Sequence, residues 1–391
     1  MEMAIRYKFS ALILVSMLAS DLVKADEAHQ TSVLPAAIHL EGIGNIAGVA
    51  VQAKNLGEDD FSAIAGVALG DAQAALLSVS ELPWGGGKLS LTTVFVSDIT
   101  LDTQYQRGTD TSTRYEQSLS GFAQFASLKT QINQQQHWYS NLGLSLVSFK
   151  GYADENGVDI AINQSGLHDV FSTAAAIGLS HDERKLTPGK GGIKANIELA
   201  GLLFRPGQSD QGQLNYGVSH AWPFMKGHKV TTYARGSHGF VLAKKSEYDE
   251  VSEVLAEING QCTTSACTLL ENELANYIVD SNKNGSAQPL GGAYGLRSYS
   301  EQYIKAANTM LEGVELTLAL PWAVGEGKSI ELVAFAEAGQ ASDSISDLAD
   351  DSLYSVGAGA RFNINDLPVR LEAAFGSDDT EAWFLTAGKR W

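Results

Sequence analysis

Beyond residue 25 the sequence has no apolar run near the length of about 18 residues that a transmembrane helix needs. Charged residues are also scarce, at 18% of the chain against roughly 25% in ordinary soluble domains. Proline occurs only 8 times, whereas glycine occurs 39 times. This composition fits neither a helical membrane protein nor a typical soluble domain.

The sequence also lacks the motifs that many enzyme and nucleic-acid sites require. It contains no Gly-x-Ser-x-Gly, no His-Glu-x-x-His and no P-loop, and its 8 histidines are scattered. The formal net charge is −18, and there is no basic stripe that could contact phosphates. We therefore expect no nucleic-acid partner, no metal and no cofactor. An enzyme is the least supported of the functions considered.

The N-terminus has the three parts of a secretory signal peptide. Arg6 and Lys8 supply the positive start, and residues 9–19 form an apolar run that is too short for a membrane anchor. A small-residue site follows and ends at Ala25. We predict cleavage after Ala25, so that residues 1–25 direct the chain out of the cytoplasm.

Only two cysteines occur, Cys262 and Cys267, with four residues between them. In the oxidising compartment that a signal peptide implies, this pair predicts a local disulfide. A metal site would need further ligands, and no histidine or second cysteine pair lies nearby. The expected bridge staples one loop.

Alternation of apolar and polar residues is the main pattern of the C-terminal third. Val314, Leu316 and Leu318 alternate with Glu315 and Thr317. The same alternation recurs in four later segments, which cover residues 330–339, 354–363, 369–375 and 381–391. Such strands are expected where lipid covers one face of a sheet and water the other.

Eleven further candidate strands lie upstream and are separated by turns rich in glycine and proline. They cover residues 44–56, 61–70, 72–82, 88–107, 113–130, 137–152, 158–162, 170–181, 193–205, 213–224 and 228–245, and 158–162 is the weakest. The total of sixteen predicts an all-β fold, a 16-stranded antiparallel transmembrane β-barrel over residues 43–391. Residues 26–42 are expected to be a short periplasmic segment. The barrel would lie in the bacterial outer membrane, in contact with lipid and lipopolysaccharide.

One long segment departs from the alternation. Tyr248, Val251, Val254 and Leu255 recur at helical spacing, and a second helical set follows the cysteine pair: Leu269, Leu270, Leu274, Tyr277 and Ile278. We predict two short helices, joined at 259–260, inside a long extracellular loop that covers residues 246–309. Loops of this length in a compact fold are often functional.

Two short motifs come after these helices. Gly291 and Gly292 precede Leu296-Arg297-Ser298-Tyr299, and Phe335-Ala336-Glu337-Ala338-Gly339 lies in a later strand. The pair resembles the signature motifs of the outer-membrane assembly-factor superfamily, the barrels of BamA, TamA and two-partner-secretion transporters such as FhaC. In that superfamily the first motif lies at the tip of a long loop that folds back into the lumen. The resemblance implies that Arg297 pairs there with Glu337.

The last strand also resembles that of the superfamily. Phe384, Gly388 and the terminal Trp391 would form the signal that the barrel assembly machinery reads during insertion. Two positions depart from the pattern, because Ser298 stands where the superfamily has glycine and Glu337 where it has aspartate. POTRA repeats, which receive client proteins in the superfamily, are missing from the sequence, so the resemblance is to a POTRA-less branch. A separate periplasmic partner would then deliver the client proteins.

The resemblance implies a barrel that assists the insertion, folding or translocation of proteins or lipids at the outer membrane. The pair formed by Arg297 and Glu337 would then either control the barrel or only hold a plug in place. Two other functions fit the same residues: a plugged or narrow passive pore, and a surface adhesion protein that binds through the disulfide-stapled loop.

Overall fold

The computed structural model describes residues 30–387, apart from gaps at 41–43, 58–60, 109–112, 155, 161–169, 186–190, 204–208, 226, 245–247, 259–261, 263, 293, 300–303, 321–327, 365–366 and 378–379. The predicted signal peptide, the helix joint at 259–260, Gly388 and Trp391 lie outside the described residues. No helix in the described part is long and apolar enough to span a bilayer.

The described residues are mostly β-strands. The strands are β1 (Gln30–Leu40), β2 (Gly44–Leu56), β3 (Phe61–Gly70), β4 (Gln73–Trp84), β5 (Gly87–Thr103), β6 (Tyr115–Gln131), β7 (Gln136–Asp154), β8 (Asp159–Ile160), β9 (Val170–Asp182), β10 (Gly192–Leu203), β11 (Asp210–Met225), β12 (His228–Ala243), β13 (Gln288–Pro289), β14 (Lys305–Ala306), β15 (Asn308–Ala319), β16 (Lys328–Ser342), β17 (Leu353–Ile364), β18 (Leu367–Gly376) and β19 (Glu381–Ala387). The helices are α1 (Val251–Ile258), α2 (Ser265–Asn284) and a 3-10 turn at Glu183–Lys185.

Sixteen of these strands are long, and each pairs antiparallel with its neighbours in chain order. β7 pairs with β9 past the two-residue β8, and β12 pairs with β15 across the inserted loop. The first and last strands, β1 and β19, approach each other. Arg107, just after β5, also bonds to Asp343, just after β16, although many strands separate them. The sheet therefore closes on itself as a β-barrel.

The predicted total of sixteen strands is confirmed, but one strand was missed and one predicted strand was wrong. Gln30–Leu40 is a full strand, β1, paired with β2 from end to end, so the barrel begins before residue 43 and residues 26–42 do not all lie outside it. The candidate at 158–162 forms only the two-residue β8. The two errors cancel in the total, because one strand was missed and one predicted strand is only a two-residue bridge.

The two faces of the sheet differ as the alternation predicts. Leu332, on β16, is exposed on the outer face, whereas its neighbours Val333 and Phe335 are buried on the inner face. Large apolar side chains are exposed on the outer face of many strands: Phe95, Phe122, Leu142, Phe171, Leu199, Val218, Val356, Leu371 and Trp383. An outer surface of this kind is stable in lipid and would be unfavourable in water.

The two ends of the barrel carry different connections. One end has short turns, such as the two-residue turn at Gly85 and Gly86, where φ is +56° and +80° and glycine avoids a steric penalty. The other end has the longer loops, including residues 104–114 and 343–352 and the inserted loop between β12 and β15. We call these the turn end and the loop end.

The inserted loop contains the two predicted helices, and α2 is longer than the short helix expected. Thr264 caps α2 by accepting a hydrogen bond from the backbone N of Cys267 at 3.2 Å. Leu270, Leu274 and Val279 lie on the buried face of α2. They pack in one cluster with three tyrosines of the barrel wall and its loops: Tyr105, Tyr115 and Tyr152. Leu269 is exposed and takes no part in this packing. The helices are thus held against the wall inside the loop end.

Candidate functional site

The tip of the inserted loop is a compact turn whose own backbone bonds fix its shape. The backbone N of Leu296 donates to the carbonyl of Leu290 at 2.7 Å, and that of Gly292 donates to the carbonyl of Tyr299 at 2.7 Å. Gly292 has a φ of +91°, a conformation that residues with a side chain rarely adopt. The turn presents Arg297 at a fixed position in the lumen.

Arg297 is fully buried and is bound by Glu337 of β16. The guanidinium Nε and Nη2 lie 3.1 and 3.0 Å from Oε1 of Glu337, and the backbone N of Arg297 donates to Oε2 at 3.2 Å. The guanidinium also stacks on the ring of Phe335, with Cζ 3.1 Å from the ring centroid. The structure therefore brings together the arginine and the acid that sequence reasoning paired.

Gly339 completes the contact between the strand motif and the loop. A Cβ on Gly339 would lie 3.0 Å from Cδ2 of Leu290, so the leucine side chain rests directly on the glycine. Phe335, Glu337 and Gly339 all point into the lumen, because they are alternate residues of one strand. Each of the three contacts a residue of the loop tip.

Two further carboxylates bind the same arginine. Nη1 of Arg297 lies 3.3 Å from Glu315 of β15 and 3.1 Å from Glu372 of β18. Arg361 of β17 bridges these two acids, with Nη2 at 2.7 Å from Glu315 and 3.0 Å from Glu372. The loop tip is thus anchored to four consecutive strands, β15 to β18, through one ionic cluster.

The hydroxyl of Tyr233, on β12, extends the cluster to a fifth strand. It donates to Oε1 of Glu337 and accepts from Nη2 of Arg297 at 3.4 Å. Burial alone would lower the pKa of the Arg297 guanidinium, but the carboxylates, Glu337 above all, raise it above its ordinary value. Arg297 is therefore charged at every physiological pH, and removing it would leave buried carboxylates undercompensated.

Arg370 of β18 belongs to the cluster by charge but not by hydrogen bonding. It is almost fully buried, and none of its guanidinium nitrogens has a hydrogen-bond partner among the described residues. Its Nη1 lies 3.9 Å from Glu372, and its Cζ lies 5.0 Å from the ring centroid of Tyr294. With Arg370 included, the cluster has three arginines and three glutamates and is electrically balanced.

The other two residues of the loop motif pack against the β18–β19 connection. The Tyr299 hydroxyl is 2.7 Å from Oγ of Ser377. Ser298 is buried, its Oγ has no hydrogen-bond partner among the described residues, and a Cβ on Gly376 would come within 2.0 Å of it. The serine fits at this position because residue 376 is a glycine.

A second set of contacts fixes the loop near the loop end. Arg107 bonds to Asp343 at 2.8 Å, to the carbonyl of Gly285 at 3.1 Å and to Oγ of Ser281 at 3.0 Å. Lys305 is buried beside it, with Nζ 5.0 Å from the ring centroid of Tyr277. Burial, reinforced by the charge of Arg107, lowers the pKa of Lys305 to about 8.

The remaining predicted residues lie away from this site. Cys262 and Cys267 are disulfide-bonded, with a Cα–Cα distance of 5.4 Å, at the start of α2. The bond leaves neither sulfur available to a metal. Phe384 is buried on the inner face of β19, while its neighbour Trp383 is 64% exposed on the outer face. The role of the last strand as an insertion signal stays a prediction.

Sequence reasoning did not identify five members of the cluster: Tyr233, Glu315, Arg361, Arg370 and Glu372. The alternation pattern does place Glu315, Arg361 and Glu372 on the inner face. What it does not give is strand register, which brings Glu315 opposite Phe335 and Glu372 opposite Gly359. The available signal for the cluster was that several adjacent strands each carry a charged residue at an inner position.

Comparisons with known proteins support the fold. Neither a protein-family model nor a curated protein sequence matches the chain. Among solved structures, it is similar to BamA from Haemophilus ducreyi lacking POTRA domains 1–3, with a TM-score of 0.55 and 11% identity over 93% of this chain and 70% of that one. CdiB from Escherichia coli and CdiB from Acinetobacter baumannii give TM-scores of 0.54 and 0.53, with 13% and 10% identity, each over 93% of this chain. The chain spans 62% and 60% of the two CdiB chains. Its fold is therefore that of the BamA and CdiB barrels.

Proposed function

We propose that this chain is a member of the superfamily of BamA, TamA and FhaC, and that it assists the insertion, folding or translocation of proteins or lipids at the outer membrane. The observation that carries the proposal is the position of Arg297. The tip of a long loop reaches into the barrel and buries one arginine among the carboxylates of three strands, Glu315, Glu337 and Glu372. The apolar outer face supports a location in a membrane.

The seated loop suits this function better than it suits a passive pore. The loop tip contacts β12 and β15 to β18, and α2 contacts tyrosines of the wall and loops around β5 to β7, so the loop crosses the lumen. A wide water-filled path is therefore obstructed while the loop is seated. In the proposed function, clients would engage the barrel where β1 and β19 approach each other rather than pass through an open lumen.

The direct test is an assisted-folding assay. The full chain would be reconstituted in phospholipid vesicles, and the folding of a urea-denatured outer-membrane barrel followed by its heat-modifiable gel mobility. We expect faster folding than in protein-free vesicles, and reduced acceleration with Arg297→Ala. The matched control is Lys88→Met, because Lys88 forms an exposed salt bridge with Glu81 at the turn end, away from the loop tip.

Two results would contradict the proposal. One is a folding rate equal to that in vesicles without the chain. The other is a large, steady single-channel conductance of the purified chain in planar bilayers that Arg297→Ala leaves unchanged, because that behaviour belongs to a passive pore. A low conductance that rises on the same substitution is the result expected for a loop seated in the lumen.

A further inference from the structure

A cavity of about 420 Å³ remains between the seated loop and the inner wall. Its wall is formed by β10, β11, β12 and β15, and its roof by the loop on both sides of Leu290. The volume lies within the range of about 300–1,000 Å³ that is typical of small-molecule sites. It lies next to the ionic cluster of Arg297, but none of the arginines or glutamates of that cluster lines it.

The floor of the cavity is concave because a glycine lies at its centre. Strand register places Gly217 of β11 between Arg235 of β12 and Asn196 of β10. A Cβ on Gly217 would lie 2.9 Å from Oδ1 of Asn196 and 3.5 Å from Cβ of Arg235. Any other residue at position 217 would therefore fill the space between these two polar side chains.

The side chains that line the cavity carry positive charge in a strongly acidic protein. They include two cationic residues, Lys194 and Arg235, and no aspartate or glutamate. Two acids lie just outside the lining: Asp182 is opposite Lys194, and Glu198 accepts a hydrogen bond from Asn215 at 3.1 Å. Most of the other polar groups are amides and hydroxyls, supplied by Asn196, Gln213, Asn215, Ser219, Ser237, Gln288 and Thr309. The whole chain has a net charge of −18, so the positive charge of the cavity lining is a local feature.

Arg235 is the cationic side chain beside the concave floor. No ion pair or hydrogen bond joins it to another described residue. The charge of Glu337, the inner-face acid on the nearby strand β16, acts on Arg235, but its carboxylate is already bound by Arg297 and Tyr233. A guanidinium on the wall of a semi-enclosed, low-dielectric space binds carboxylate or phosphate groups strongly, through two parallel hydrogen bonds.

We propose that this cavity binds a small hydroxylated anion, such as a sugar phosphate or a sugar carboxylate. Arg235 and Lys194 would bind the anionic group, and the amides and hydroxyls would bind the ligand hydroxyls. The backbone of Gly291 and Gly295 lines the same cavity, so a bound ligand contacts the loop tip that carries Arg297. Binding therefore stabilises the seated loop, because the ligand has higher affinity for that state.

The test is isothermal titration of the full chain in detergent micelles with glucose 6-phosphate, and with glucose as the neutral control. We expect saturable binding of glucose 6-phosphate to one site and none of glucose. Arg235→Met and Lys194→Met should each weaken binding about tenfold or more. Gly217→Val, which keeps both charges but fills the floor, should weaken it as well. The control is Lys244→Met, because Lys244 is exposed and paired with Asp249.

Heat-modifiable mobility establishes that each variant is folded before titration, so a loss of binding is not a loss of the barrel. The proposal is overturned if glucose 6-phosphate gives no saturable heat, or if glucose binds equally well. It is also overturned if binding survives both Arg235→Met and Gly217→Val unchanged, because the anion would then bind elsewhere. None of these outcomes depends on the assisted-folding activity.

Discussion

A single carboxylate, that of Glu337, binds both the side chain and the backbone of Arg297. One of its oxygens accepts from the guanidinium at 3.0–3.1 Å, and the other accepts from the backbone N at 3.2 Å. The two bonds fix the loop tip in position and in orientation, whereas a side-chain contact alone would leave the backbone free to rotate.

Glu337→Asp is expected to weaken this connection even though aspartate is the residue usual in the superfamily. The carboxylate would be one methylene further from the loop and could not reach both the guanidinium and the backbone N. We expect the free energy of unfolding to fall by about 1–3 kcal/mol, the cost of leaving buried polar groups without partners. Urea unfolding in lipid vesicles, followed by tryptophan fluorescence, measures the change. An unchanged or higher stability would show that the length of Glu337 does not matter.

Arg297 and Arg370 provide a matched pair of substitutions. Arg297→Met and Arg370→Met each remove one positive charge from the same buried cluster, but only Arg297 makes hydrogen bonds to its acids. We expect Arg297→Met to cost about 3–5 kcal/mol, as for a broken buried ion pair. Arg370→Met should cost about 1 kcal/mol or less, because no hydrogen bond is lost.

The same unfolding measurement compares the two variants. Equal losses would mean that net charge alone stabilises the cluster and that the hydrogen bonds of Arg297 are unimportant. A larger loss for Arg370→Met would contradict the geometry described for both arginines.

The lowered pKa of Lys305 predicts that the free energy of unfolding depends on pH. Its pKa is lowered to about 8 in the folded chain, from about 10.4 in an unfolded one. Between these values the unfolded chain binds a proton that the folded chain has released, so stability rises with pH across this window. The rise attributable to Lys305 is at most roughly 3 kcal/mol.

Lys305→Met should lack this contribution. The difference in unfolding free energy between the variant and the wild type, measured at about pH 7.5, 8.5 and 9.5, should be largest at the lowest pH and should shrink as the pH rises. Groups that titrate in both proteins cancel in this difference. A difference that is constant with pH would contradict the lowered pKa.

Much of the fold could be predicted from the sequence because lipid on one face and water on the other impose strict alternation. The inner positions of Glu315, Glu337, Arg361 and Glu372 followed from that alternation alone. β1 escaped detection because Gln30–Leu40 contains Pro35 and no clear alternation, and only its pairing with β2 identifies it as a strand.

The site was predicted less completely than the fold. The motif resemblance identified Arg297 and Glu337. The rest of the cluster depends on which inner residues of neighbouring strands lie opposite one another. That register is set by hydrogen-bonded pairing around the whole barrel, not by any local pattern. The position of Arg370, which has no hydrogen-bond partner among the described residues, and the cavity floor at Gly217 likewise depend on register.

A cross-link between Leu290 of the loop and Gly339 of β16 tests most directly whether the inserted loop is seated in the lumen. Cγ of Leu290 lies 3.4 Å from the position that a Cβ on Gly339 would occupy, which suits a disulfide. The double variant Leu290→Cys, Gly339→Cys should therefore cross-link spontaneously in cells and shift in mobility on a non-reducing gel. Leu290→Cys with Gly121→Cys, a glycine of β6 whose close contacts do not include Leu290, should not. Free thiols in the first variant, despite a folded barrel, would contradict the seated loop.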